Sequence, residues 1–187
     1  MRTDPRVRYT RMIIKQAFLE LLQQKPASKI TVREVCDKAE INRSTFYKHY
    51  LDCCDLLDKL KEEALVQLEE KLSTIEAAGA MPALTVILQT IEDNARLFEI
   101  FFKSRGSRDF TMQLVRLCFR FMDLHLTAEI DSTQDDTQRA MDFAFLLGGV
   151  GSMTEYWIQG GCKEPKEQIA AAILRLSMIV ADGLAER

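Results

Sequence analysis

The sequence is poor in the groups on which most enzymes and metal proteins rely. Its 187 residues include two histidines, His49 and His125, and one tryptophan. The five cysteines, Cys36, Cys53, Cys54, Cys118 and Cys162, are odd in number and contain no C-x-x-C pair. That pattern argues against both a disulfide framework and a zinc site. They read as small core hydrophobes, with Cys53 or Cys54 as the exposed exception. No nucleophile elbow is present, and no clustered Asp, Glu, Ser and His set takes acid–base roles. No catalytic residue, cofactor or metal ligand is therefore expected. Long apolar runs are missing as well. The longest uncharged stretch, residues 77–91, contains Gly79 and Pro82 and falls short of the roughly 20 apolar residues a membrane helix needs. Met1 to Arg6 offers no apolar signal core, so a cytoplasmic protein is expected.

Strong net charge is also lacking: 25 Lys+Arg stand against 28 Asp+Glu, a balance of −3. The average hides a segregation. Residues 1–50 carry 11 basic and 5 acidic side chains (+6), and residues 51–187 carry 14 and 23 (−9). A basic end on an acidic chain is a prompt to look for a polyanion-binding segment. With 47% hydrophobic and 28% charged residues, the composition is that of a globular protein.

Apolar spacing is helical almost throughout, which predicts an all-α fold of about nine helices. Ile14, Ala17, Phe18, Leu21 and Leu22 recur at the helical period and predict a first helix over residues 7–24. Thr31 followed by Glu34 has capping-box spacing, so a second helix begins near Val32 and buries Val35, Cys36 and Ala39. Asn42 or Ser44 caps a third, over residues 43–49. Longer helices follow over 53–75, 82–92 and 97–103. Another is striped by Leu114, Leu117, Cys118, Phe121, Met122 and His125. One more ends at Gly160-Gly161, and the last spans 165–182 with Ile169, Ala172, Ile173, Leu176 and Val180 inward. The division expected is 1–52 as one domain and 53–187 as a second.

Two short helices joined by a tight turn, the second polar on its outer side, form a helix-turn-helix reading head. A major groove about 12 Å wide accepts one such helix. In Asn42-Arg43-Ser44-Thr45-Phe46-Tyr47-Lys48-His49-Tyr50, Phe46 and Tyr50 suit the core. Asn42, Arg43, Ser44, Thr45, Tyr47, Lys48 and His49 are left for solvent, with the amide, guanidinium, hydroxyl and ammonium groups that reach bases and phosphates. Arg2, Arg6, Arg8 and Arg11 lie where a flexible arm follows the DNA backbone or minor groove. The alternative is a solvated basic face on a small helical subdomain.

The stretch from Ile14 to Tyr50, with Ile30-Thr31-Val32-Arg33-Glu34-Val35 and then Ala39 through Tyr50, resembles the N-terminal domain of the tetracycline-repressor (TetR/AcrR) family of transcriptional regulators. The resemblance implies a homodimer whose heads bind a palindromic double-stranded operator and whose body senses an effector. It places Thr31 and Arg33 at the start of the supporting helix. Asn42, Arg43 and Thr45 become base or backbone readers, and Tyr47, Lys48 and His49 become phosphate clamps. Glu40 departs from the glycine common in the family's turn. If that position is left-handed, Glu strains the backbone and sets a negative charge near DNA.

In the body, a stripe of small residues (Ala140, Ala144, Gly148, Gly151) and a second of Ile169, Ala172, Ile173 and Leu176 suggest halves of a four-helix dimer interface. Burial within one subunit is the alternative. Eight of ten phenylalanines lie between Phe98 and Phe145, which suits either ordinary core packing or an adaptable apolar cavity. Phe98, Phe102, Phe121, His125 and Trp157 are the candidate effector contacts. Residues 140–185, with Phe145-Leu146-Leu147-Gly148-Gly149-Val150-Gly151-Ser152, resemble the subgroup of the family that includes the dihydroxyacetone-kinase operon activator. Small-molecule and protein effectors both remain open there. The glycines do not form a phosphate loop, because G-x-x-x-x-G-K-[ST] is absent. The expected function is a dimeric DNA-binding regulator, acting as a repressor. An enzyme and a helical adaptor with a decayed head are the rivals.

Overall fold

A computed structural model describes residues 4–75, 79–104, 106–121 and 136–185, and these are helical with no strands. In chain order the helices are α1 (Pro5–Leu22), α2 (Val32–Ala39), α3 (Arg43–Tyr47), α4 (Cys53–Ser73), α5 (Ala80–Asp93), α6 (Ala95–Lys103), α7 (Ser107–Phe121), α8 (Asp136–Gln159) and α9 (Lys166–Ala185). A single 3₁₀ turn, Ala27–Lys29, lies between α1 and α2. The chain forms two compact units, Met1–Ala64 and Leu65–Arg187. The first absorbs the N-terminal half of α4, so it runs past the residue-52 boundary expected from the pattern. Leu56, Leu57 and Leu60 on that half are buried, and Lys15 of α1 forms an ion pair with Glu63.

In the first unit, Asp4 caps α1 by accepting from the Arg6 N–H (2.9 Å), and Pro5 occupies the first turn. Proline suits that position because its missing N–H would have no partner there. Ile14, Phe18, Val35, Phe46 and Leu56 are fully buried. Each such side chain is worth about 1.5–3 kcal/mol over the exposed state, so a few of them hold α1, α2, α3 and the start of α4 together.

The second unit packs α5 against α9, and α6 against α7 and α8. Leu84, Ile87, Leu88 and Ile91 fill α5's inner face. Phe110 of α7 meets Phe98, Phe101 and Phe102 of α6 at ring-centroid distances of 6.0, 5.1 and 5.9 Å, in the tilted and edge-on arrangements that aromatic quadrupoles favour.

The small-residue stripe of α8 divides in two. A Cβ on Gly151 would come within 2.6 Å of Thr111 Cγ2, whereas one on Gly148 would meet nothing within 4 Å. Gly151 therefore serves packing of α8 on α7 inside the unit. Gly148 lies instead on an outward face with Met141, Phe145 and Tyr156, of which Phe145 is 70% exposed. On α9 the inward stripe is Ala170, Ile173 and Ser177, while Leu176, Met178 and Ile179 are exposed. Leu176, expected inward, is thus exposed, and the buried stripe runs through Ala170, Ile173 and Ser177 at helical spacing.

Candidate nucleic-acid interface

Helix α2 opens with a reciprocal cap. Thr31 Oγ1 accepts from the Glu34 N–H (3.4 Å), and Glu34 Oε2 accepts from the Thr31 N–H (3.0 Å) and hydroxyl (2.8 Å). Lys25 adds an ion pair to the same carboxylate. The Lys25 hydrogen bond, then those from Thr31, hold the Glu34 carboxyl down at about 2. Thr31 is therefore committed to capping the start of α2, although it stays exposed. Arg33 points outward and sits 3.6 Å from Asp37, one turn on. So exposed a pair contributes little to stability.

The turn is left-handed at Glu40, with φ 53° and ψ 42°. Its N–H donates to the Cys36 carbonyl, as does that of Ile41 at 3.0 Å. This is the usual way to close a helix, with Glu where glycine fits best. The strain is on the order of 1–2 kcal/mol.

Asn42 follows as the N-cap of α3 in extended conformation, and its side chain makes no capping hydrogen bond. The cap is the backbone carbonyl, which accepts from Thr45 (2.9 Å) and Phe46 (3.2 Å). Phe46 is fully buried and Tyr50 is 3% exposed, their rings 5.7 Å apart. With those two pinned, α3 leaves Asn42, Arg43, Ser44, Tyr47 and Lys48 exposed and Thr45 and His49 half-buried. The structure thus brings the seven predicted α3 residues onto one short segment, with Thr31 and Arg33 at the start of the helix before it.

Pattern reading missed how the far end of α3 is held. Lys59 of α4 donates to the His49 carbonyl (3.1 Å), pairs with Asp55 (3.0 Å) and lies 5.2 Å over the Tyr50 ring. Asp52 caps α4 through Oδ1, which accepts from the N–H groups of Cys54 and Asp55 at 2.8 Å each. The Lys59–Asp55 spacing is visible in the sequence, but the bond to His49 joins α4 to the turn that follows α3. Burial, followed by the charges of Arg11, Lys48 and Lys59, lowers the affinity of the His49 imidazole for a proton. The arginines differ from the flexible arm expected: Arg6, Arg8 and Arg11 lie on α1, which starts at Pro5. Arg2 lies outside the described residues.

The candidate effector residues sit differently. Phe98, Phe102 and Trp157 are buried, and Trp157 Nε1–H donates to the Glu164 carbonyl (2.8 Å). A ligand reaching them has to displace core packing. The Phe121 side chain and His125 lie outside the described residues. A separate groove of about 290 Å³ is lined by Leu65, Glu69, Gln113, Arg116, Leu117 and Arg120, with Arg120 in an ion pair with Glu69. Among the described residues no group of three or more His, Cys, Asp or Glu is arranged to hold a metal, and no helix is long and apolar enough to cross a membrane.

The chain is similar to known regulators. It is 24% identical over 184 residues to an uncharacterized HTH-type transcriptional regulator of Haemophilus influenzae, covering 92% of this chain and 88% of that one. It is 28% identical over 97 residues to the uncharacterized HTH-type transcriptional regulator YxbF of Bacillus subtilis, a match spanning 48% of this chain but only 26% of that longer protein. Its fold is similar to that of a putative TetR-family regulator from Syntrophomonas wolfei (TM-score 0.71, 16% identity, 95% and 97% of the two chains). It is also similar to the dihydroxyacetone kinase operon activator DhaS (TM-score 0.66, 19% identity, 92% and 96%). At these identities the structural likeness is one of fold. Residues 80–178, more than half of the chain, match the TetR_C_8 family, described as "Transcriptional regulator C-terminal region". With a helix-turn-helix segment before that region, the chain belongs to the TetR family of transcriptional regulators.

Proposed function

We propose that the protein is a homodimeric, sequence-specific DNA-binding repressor that sets α3 in the major groove of a palindromic operator and responds to an effector bound in residues 65–187. One observation carries the reading. α3 is anchored from below by Phe46 and Tyr50 while Asn42, Arg43, Tyr47 and Lys48 stand exposed, as direct readout requires. Arg43 and Asn42 are the base readers, and Tyr47 and Lys48 contact phosphate. The outward face of α8 (Met141, Phe145, Gly148, Tyr156), with Leu176, Met178 and Ile179 of α9, supports dimerisation. It is apolar, and a small residue at its centre lets helices approach closely. Two heads are also a physical need, since one reads too few base pairs for specificity.

Fluorescence anisotropy with DNA flanking the protein's own gene tests the proposal. The expected result is salt-sensitive, nanomolar binding that exceeds binding to random DNA by about a thousandfold or more. Equal affinity for both DNAs sinks it. A protein effector is the second reading, favoured by the close packing of Phe98, Phe102 and Trp157. A partner acting on the surface needs no such core displaced.

A further inference from the structure

The end of α3 gathers cations from three helices. Lys48 lies on α3's C-cap, Arg11 comes from α1 and Lys59 from α4, and all three charges act on the imidazole of His49. Lys59 is placed by its 3.1 Å bond to the His49 carbonyl and its position over the Tyr50 ring. The ring of Tyr50 lies 6.4 Å from that of His49. The negative groups on this side are Asp55, which pairs with Lys59, and Glu63, which pairs with Lys15. Both act on the Tyr50 hydroxyl. The half-buried imidazole thus sits at the rim of the proposed interface, where burial and then the three cations oppose its protonation.

We propose that His49 takes up a proton when the head binds DNA, so that Arg11, Lys48, His49 and Lys59 close on the phosphate backbone as four positive charges rather than three. The inference rests on the DNA-binding reading given above. In the free protein burial, and after it the charges of Arg11, Lys48 and Lys59, disfavours the imidazolium. A phosphate brought to the same place reverses the sign of the local field and favours the imidazolium. Binding and protonation are then linked, and affinity rises as pH falls through neutrality. It levels off once the free imidazole is itself protonated. The slope approaches about tenfold in affinity per pH unit per head at its steepest. Among side chains only His49 and His125 have their ordinary titration in this range, and the comparison with His49→Gln separates His49 from His125 and from the terminal amino group.

The experiment is anisotropy of the full-length protein on operator DNA between pH 6 and 8 at constant ionic strength, for the wild type and for His49→Gln. Imidazole NMR of the free and DNA-bound protein accompanies it, the His49 signal being the one that His49→Gln removes. The expected result is a wild-type affinity that increases by about threefold to tenfold per unit of falling pH, a flat profile for His49→Gln, and a His49 titration that moves upward on binding. Binding with the same pH slope in both proteins, or a His49 titration unchanged by DNA, overturns the inference and leaves the DNA-binding reading standing. Absence of operator binding at every pH overturns both.

Discussion

Residues 1–50 carry +6 and include the two shortest helices, α2 of eight residues and α3 of five, whereas residues 51–187 carry −9 and build helices of nine to twenty-four residues seated by aromatic and aliphatic packing. In the head the caps matter because a helix of eight residues such as α2, or five such as α3, has little interior to offset its unpaired ends. Thr31, Glu34, Asp52 and Lys59 each satisfy a specific backbone group there. In the body, α5 buries six residues of its fourteen, and the four-phenylalanine contact between α6 and α7 relies on shape. The head therefore depends on particular polar atoms, which leaves its outer side free to carry function. The body tolerates chemical change so long as volume is kept.

The largest test of this contrast is a matched pair of core truncations. Phe46→Ala and Phe101→Ala each remove a fully buried ring and are expected to cost about 3–5 kcal/mol. Hydrogen exchange should show Phe46→Ala exposing amides of α1–α3 while α5–α9 keep their protection, with Phe101→Ala giving the reverse. Uniform loss of protection in both variants would break the comparison. Next in size are surface changes. Arg43→Ala should weaken operator binding by about 1–3 kcal/mol and relax preference at one base position, with thermal stability unchanged. Phe145→Glu, on an exposed position, should leave the fold intact and shift sedimentation from dimer to monomer, weakening association by about 2 kcal/mol or more.

Smaller still is Glu40→Gly. Relief of the left-handed strain, less the entropy of glycine, should raise stability by about 0.5–1 kcal/mol in denaturant titrations, and loss of the negative charge should tighten DNA binding slightly. The last test is made in acid and concerns Glu34. Its carboxyl is held below its unfolded value of 4.5 at about 2, so its contribution is complete above 4.5 and is lost as pH falls towards 2. In acid titrations followed by circular dichroism, Glu34→Gln should flatten that part of the curve, and an unchanged curve would show that the Lys25 and Thr31 contacts are not retained in solution.

Much of the head is legible in the sequence, because its signals are local. Thr31 and Glu34 are three residues apart, and Glu40 stands where a short turn needs a left-handed residue. Phe46 and Tyr50 share one face by helical period alone. The body is legible as helices but not as faces. Gly148 and Gly151 look equivalent in sequence, and Leu176 reads as inward where the polar Ser177 beside it is the buried one, so only the packing of α7, α8 and α9 separates inward from outward. The candidate pocket residues share this ambiguity: periodicity marks Phe98, Phe102 and Trp157 as inward, and inward positions serve cores and cavities alike.

Where helices begin, where the chain turns at Glu40 and which stripe of each helix is apolar were decided by residues within a turn or two of one another, through capping bonds, backbone sterics and the period of 3.6. That Lys59 holds the end of α3, that Arg11 and Lys59 share a field with His49, and that α8 spends Gly151 inside and leaves Phe145 outside were decided by contacts between residues far apart in the chain. Those neighbours exist only once the helices have packed.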